Sequence, residues 1–102
     1  MSHSNRLTSA TEFRRVRRTG KSYAHPFVLL IASQSKSERC HYGVTASRSV
    51  GGAVKRNRAK RRMRAALRNF DLNPGWDLIL VARPGLDEAP WNEFTKAVGD
   101  LL

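Results

Sequence analysis

Residues 54–70 read Val54-Lys55-Arg56-Asn57-Arg58-Ala59-Lys60-Arg61-Arg62-Met63-Arg64-Ala65-Ala66-Leu67-Arg68-Asn69-Phe70. The stretch carries eight Lys or Arg side chains and no acid. Wound at about 100° per residue, it predicts a helix on which the apolar and basic residues separate. Ala59, Met63, Ala66, Leu67 and Phe70 share one narrow sector, the stripe that packs on a core. Lys55, Arg58, Arg61, Arg62 and Arg68 cover the opposite side. Arg56, Lys60 and Arg64 step along one margin of the stripe at every fourth residue, with Asn57 beside them. Like charges so spaced repel by roughly 0.2–0.5 kcal/mol per pair. Such a helix needs a core to hold it and a polyanion to neutralise it.

The rest of the composition agrees. At 102 residues the chain makes one domain with one modest core. Its formal net charge is +11, and Arg supplies 14 of its 19 cations. Arg in such excess favours bidentate phosphate contacts and stacking. Residues 1–70 hold 17 basic and 2 acidic side chains, whereas residues 71–102 hold 2 basic and 6 acidic ones. Nucleic acid is the partner such a surface implies, and an anionic membrane comes second. The basic helix lacks the broad Trp/Phe/Leu face of an interfacial helix, and no apolar run approaches the ~20 residues of a spanning one. No membrane partner is therefore expected. Met1 to Asn5 is not expected to belong to a signal peptide. The lone cysteine, Cys40, builds no disulfide framework, so a reducing cytoplasm is the expected location.

Working outward from the basic helix, Ser9-Ala10-Thr11-Glu12 fits a capping box. The helix it opens should run to Thr19, with Gly20 as a left-handed C-terminal residue. Ala10, Phe13 and Val16 form its thin apolar face, and Arg14, Arg15, Arg17 and Arg18 surround the rest. Tyr23 to Ala32, centred on Phe27-Val28-Leu29-Leu30-Ile31, predicts a strand covered on both faces, with Pro26 at its start or on an edge. Ser33 to Glu38 is a polar turn. Arg39 to Ala46 alternates as a second strand with Cys40, Tyr42, Val44 and Ala46 on one face, and the two strands are expected to pair antiparallel. The adjacent glycines Gly51 and Gly52 delay the basic helix to about Ala53. After the Asn73-Pro74-Gly75 turn, Trp76 to Ala82 contains Leu78-Ile79-Leu80-Val81, a central strand that Arg83-Pro84-Gly85 ends. Pro90 opens a last helix with Trp91, Phe94, Val98, Leu101 and Leu102 at helical spacing, still amphipathic at the final residue. The expected class is α+β, a small mainly antiparallel sheet packed with helices in the order α-β-β-α-β-α.

No side chain is expected to be catalytic or to bind a metal. His3, His25 and His41 share no chelating spacing, and Cys40 and His41 point to opposite faces of a strand. Cys40 reads as a small core residue. The eight acids show no paired-carboxylate spacing.

The residues from Val50 to Arg64 also carry a pattern. G-x-A-V-x-R-N-R-x-K-R-x-x-R is met at every named position from Gly51 to Arg64, and it resembles the signature of the bacterial ribonuclease P protein component. The resemblance extends to Asn5-Arg6-Leu7, Glu12-Phe13, Gly20, Phe27-Val28-Leu29, Gly43-Val44 and Val81-Ala82-Arg83. It implies an RNA-binding protein subunit of the endonuclease, a hydrolase whose catalytic RNA and Mg2+ ions remove the 5′ leader of precursor tRNA. No obligate protein partner is expected. It also implies a ribosomal protein S5 domain 2-like fold with a left-handed βαβ crossover, against the usual right-handed rule. By the same resemblance Arg48, Lys55, Arg58, Arg61, Arg62 and Arg68 would contact the catalytic RNA. Phe13, Val28 and Leu30 would line a leader cleft between the first helix and the sheet, bordered by Arg56, Asn57, Lys60 and Arg64. Where the family usually carries leader-stacking aromatics this chain has Arg17 and Leu30, so stacking by Arg17 and phosphate contacts should take a larger share. Two other classes share the charge without the R-N-R pattern: a ribosomal or other structural RNA-binding protein, and a DNA-binding protein reading a major groove. The latter needs a short helix and a Gly-containing turn before the basic helix, which this sequence lacks.

Overall fold

The computed structural model describes residues 4–6, 10–35, 40–68 and 75–101. The chain forms β1 (Ser4–Arg6), α1 (Ala10–Thr19), β2 (Lys21–Ala24), β3 (Val28–Gln34) and β4 (Cys40–Ala46), followed by a 3-10 turn (Arg48–Val50). Then come α2 (Ala53–Leu67), β5 (Trp76–Ala82), a second 3-10 turn (Leu86–Glu88) and α3 (Trp91–Leu101). The α+β class holds. The sheet is mixed, in the order β1-β4-β5-β3-β2: β1, β4 and β5 run parallel to one another, while β3 is antiparallel to β5 and β2 to β3.

Several local expectations change. The two strands expected to pair with each other do not, because β5 lies between β3 and β4. Leu78 to Val81 is apolar on both faces and so takes the centre of the sheet, where both faces are covered. Joining β4 to a parallel β5 needs a crossover, which α2 supplies. The long strand expected from Tyr23 to Ala32 is a hairpin. Pro26 and Phe27 form its turn, closed by His25 N–H to Val28 C=O at 2.9 Å and Val28 N–H to His25 C=O at 3.2 Å. The three-residue polar β1 left no alternation to read.

Gly20 is not left-handed; positive φ occurs at Gly51, Gly75 and Gly85 among the described residues. Its reason is space. A Cβ there would meet the Val16 carbonyl oxygen at 2.6 Å and Ile31 Cγ2 at 2.8 Å, where α1 turns directly into β2. The capping residue Ser9, the stripe residue Phe70, the turn residues Asn73 and Pro74 and the terminal Leu102 lie outside the described residues.

The sheet has an apolar face on each side. Ala59, Met63, Ala66 and Leu67 of α2 are buried against Val28, Leu30, Cys40, Leu78 and Leu80, with Leu86 closing that core. On the other face, Val16 of α1 is buried against Ile31 and Ile79, with Phe13, Leu29 and Val81 half-buried around them. The pleat decides which residues serve which helix.

Candidate nucleic-acid interface

Strand register lays the α1 side of the sheet out in rungs, because directly paired residues share a face. One rung runs Ala24, Leu29, Val81, Thr45; the next runs Ser22, Ile31, Ile79, Gly43; a third joins Ser33, Asp77 and His41. Helix α1 covers the second and third. The Phe13 ring lies on Gly43, where an added Cβ would stand 2.3 Å from Phe13 Cζ. Arg15 donates to the Asp77 carboxylate, and Thr19 Oγ1 is 2.9 Å from Ser33 Oγ. His41 Nδ1 lies 3.2 Å from the other Asp77 oxygen. Asp77 is only 2% exposed, so these two partners offset the cost of burying its charge, and Arg15 bolts α1 to the sheet.

Arg15 and Thr19 occupy one flank of α1. Helical geometry puts Arg17 on the other flank with Phe13, beside the first rung, and Arg17 is exposed. That rung keeps Leu29, Val81 and Thr45 partly accessible, forming a floor of mixed apolar and hydroxyl character. Val28 and Leu30, expected to line this cleft with Phe13, do not. They alternate to the opposite face and are buried beneath α2, at 0% and 3% exposure. The cleft residues on β3 are one pleat position away: a one-residue shift exchanges the two faces of a strand.

The basic helix places its polar residues partly along a cleft and partly in solvent, with one residue set apart from both. Arg56, Asn57 and Lys60 line a cleft of about 310 Å³ together with Ala53 and with Thr45 and Ala46 of β4. Thr45 is thus common to this cleft and to the first rung; no sequence signal marked it, since it is one polar residue in an ordinary strand alternation. The Nε atoms of Arg56 and Arg64 are buried without a hydrogen-bond partner among the described residues. An unmet buried donor costs about 1–3 kcal/mol, which an arriving acceptor oxygen would offset. Along the other side Lys55, Arg58, Arg61 and Arg68 are exposed, as is Arg48 on the 3-10 turn before the glycines.

Arg62 is the residue set apart. Its guanidinium donates to the Leu86 carbonyl at 2.8 Å and to the Ala89 carbonyl, and its Cζ lies 5.6 Å from the centre of the Trp91 ring. Burial, and then the nearby charge of Arg58, lower its pKa, while Asp87 opposes the shift. Grouped with the RNA-facing arginines in the sequence, Arg62 instead ties α2 to the second 3-10 turn and α3. The helical wheel could not show this, since the carbonyls that engage Arg62 are 24 and 27 residues further along the chain. Among the described residues no group of three His, Cys, Asp or Glu side chains could hold a metal ion.

This arrangement has known counterparts. The sequence profile of the family described as Ribonuclease P matches residues 1–102. A ribonuclease P protein component of Herpetosiphon aurantiacus is 39% identical over 104 residues, covering 100% of this chain and 85% of that protein. One from Dehalococcoides mccartyi is also 39% identical, over 102 residues and the same shares. Among solved structures, the RNase P protein of Thermotoga maritima superposes with a TM-score of 0.84 at 21% identity, covering 96% of this chain and 94% of that one. The Staphylococcus aureus RNase P protein superposes at 0.81 and 22% identity, over 93% and 89%. The structures share the fold; the profile and the sequence relatives carry the family, and the chain belongs to the ribonuclease P protein component family, the protein side of an RNA-processing endonuclease.

Proposed function

We propose that this protein grips the catalytic RNA of ribonuclease P with the outer side of α2 and receives the 5′ leader of precursor tRNA between α1 and α2. The observation that supports it is the two-sided use of the basic helix. Lys55, Arg58, Arg61 and Arg68 stand exposed with Arg48, while Arg56, Asn57 and Lys60 turn towards Thr45 and the cleft. The first group docks the RNA scaffold through phosphates. The second, with Arg64, meets leader phosphates, and the unmet Nε donors of Arg56 and Arg64 suit phosphate oxygens. Phe13 and Arg17 wall the far side of a floor made by Leu29, Val81 and Thr45. Arg17, one turn beyond Phe13, offers its guanidinium plane to a leader base. No side chain of this chain acts on the scissile phosphate; the RNA and the Mg2+ ions it carries supply that chemistry, and the protein supplies affinity and position.

Reconstitution tests this. Added to the catalytic RNA at low Mg2+, the protein should restore precursor cleavage, and Arg17→Ala should weaken binding of leader-bearing precursor while leaving leaderless tRNA unaffected. Properly folded components that give no rescue would refute the assignment; rescue with no Arg17→Ala effect would refute the leader contact alone.

A further inference from the structure

Three large apolar side chains are exposed among the described residues: Tyr23, Val54 and Trp91. Trp91 differs in its setting. It is the first residue of α3, 41% exposed, with the Arg62 guanidinium over its ring. Arg62 is itself held by the Leu86 and Ala89 carbonyls, so the cation and the indole sit in a fixed relation before any ligand arrives. Arg58, close enough to disfavour the charge on Arg62, and Arg61 are exposed on the neighbouring side of α2. Acids bracket the tryptophan in sequence, with Glu88 and Glu93 both exposed. Acids repel phosphate, so a ligand over Trp91 is best served by an uncharged planar group with its charge lying towards the arginines of α2. An unpaired nucleotide meets both conditions, its base stacking on the indole and its phosphates reaching Arg58 and Arg61.

We propose that Trp91, seated against Arg62, is a stacking platform for an unpaired nucleotide of the catalytic RNA that α2 grips. This rests on the RNA-docking role of α2 given above and adds a contact outside the R-N-R signature, on a different element. Arg62 acts as a positioning residue, orienting the indole without meeting the RNA itself.

Intrinsic fluorescence tests the platform directly, since Trp76→Phe leaves Trp91 as the sole indole. Saturating catalytic RNA should quench Trp91 emission in that variant, and precursor tRNA alone should not. Trp91→Leu should weaken catalytic-RNA affinity about 5- to 150-fold with an unchanged salt slope, because no charge is lost; Trp91→Phe should keep most of the affinity. Unchanged emission at saturating catalytic RNA, quenching by precursor tRNA alone, or wild-type affinity in Trp91→Leu would overturn the proposal. The emission readout retains the native tryptophan, so it stands even if Trp91→Leu fails to fold. Absent or salt-independent RNA binding by the unaltered protein would overturn the underlying reading of α2 together with this proposal.

Discussion

Cys40 occupies a fully buried position on β4, and its thiol is pushed up to about 11, first by burial and then by the charge of Asp77. An unfolded thiol loses its proton near the ordinary value of 9.0. Between these values the unfolded state sheds a proton that the folded state keeps. The stability Cys40 contributes is therefore full below about pH 9 and is lost as pH rises through about 11. Denaturant midpoints measured across that window should fall in the native protein, and the fall should be smaller in Cys40→Ala. Near neutral pH a thiol reagent should label the unfolded chain only; rapid labelling of the folded protein would contradict the burial. The core role of Cys40 was legible from strand alternation. Asp77 was not, although it is the most deeply buried charge described. An acid inside a strand gives no sign of its burial until its partner is known, and Arg15 lies 62 residues away.

Elements were legible wherever a period repeats inside them. Helix α2 begins at Ala53 and buries Ala59, Met63, Ala66 and Leu67, as its stripe requires. Trp76–Ala82 and Trp91–Leu101 form the expected strand and helix. Glycines were recognised as punctuation but not for their reason, because the reason lies in another element. Gly43 sits in mid-strand, where glycine ordinarily weakens a sheet, and exists to let Phe13 of α1 close on it. Gly43→Ala should displace that ring and cost about 1–3 kcal/mol, with amide exchange accelerated in α1 and little changed in α2. An unshifted melting temperature would show that α1 tolerates the added methyl group. The hairpin at Pro26 and Phe27 is likewise hidden in the sequence. Aromatic and apolar residues flank the turn on both sides, and only the pairing of β2 with β3 reveals the break.

At the scale of the molecule, the basic helix works from one side of the sheet and α1 from the other, with Thr45 and the Leu29–Val81 rung between them. Two readouts should then separate. Arg61→Ala should weaken assembly with the catalytic RNA and lower the salt slope of that binding by about one. Arg56→Ala should leave assembly near normal and weaken precursor binding within the assembled enzyme, which binding at several salt concentrations would measure. Equal effects of both variants on both measurements would abolish the division of α2 into two working sides. The sequence by itself determined the family signature, the concentration of positive charge on one helix and the core stripe beneath that helix, since motif, charge and period are local properties of consecutive residues. Only the tertiary structure decided that β5 separates β3 from β4, that Leu29 rather than Val28 and Leu30 faces α1, and that Arg62 turns inward to the carbonyls of Leu86 and Ala89. Alternation along a strand defines two faces without saying which helix each will meet. That choice follows from pairing register and from where a distant helix docks.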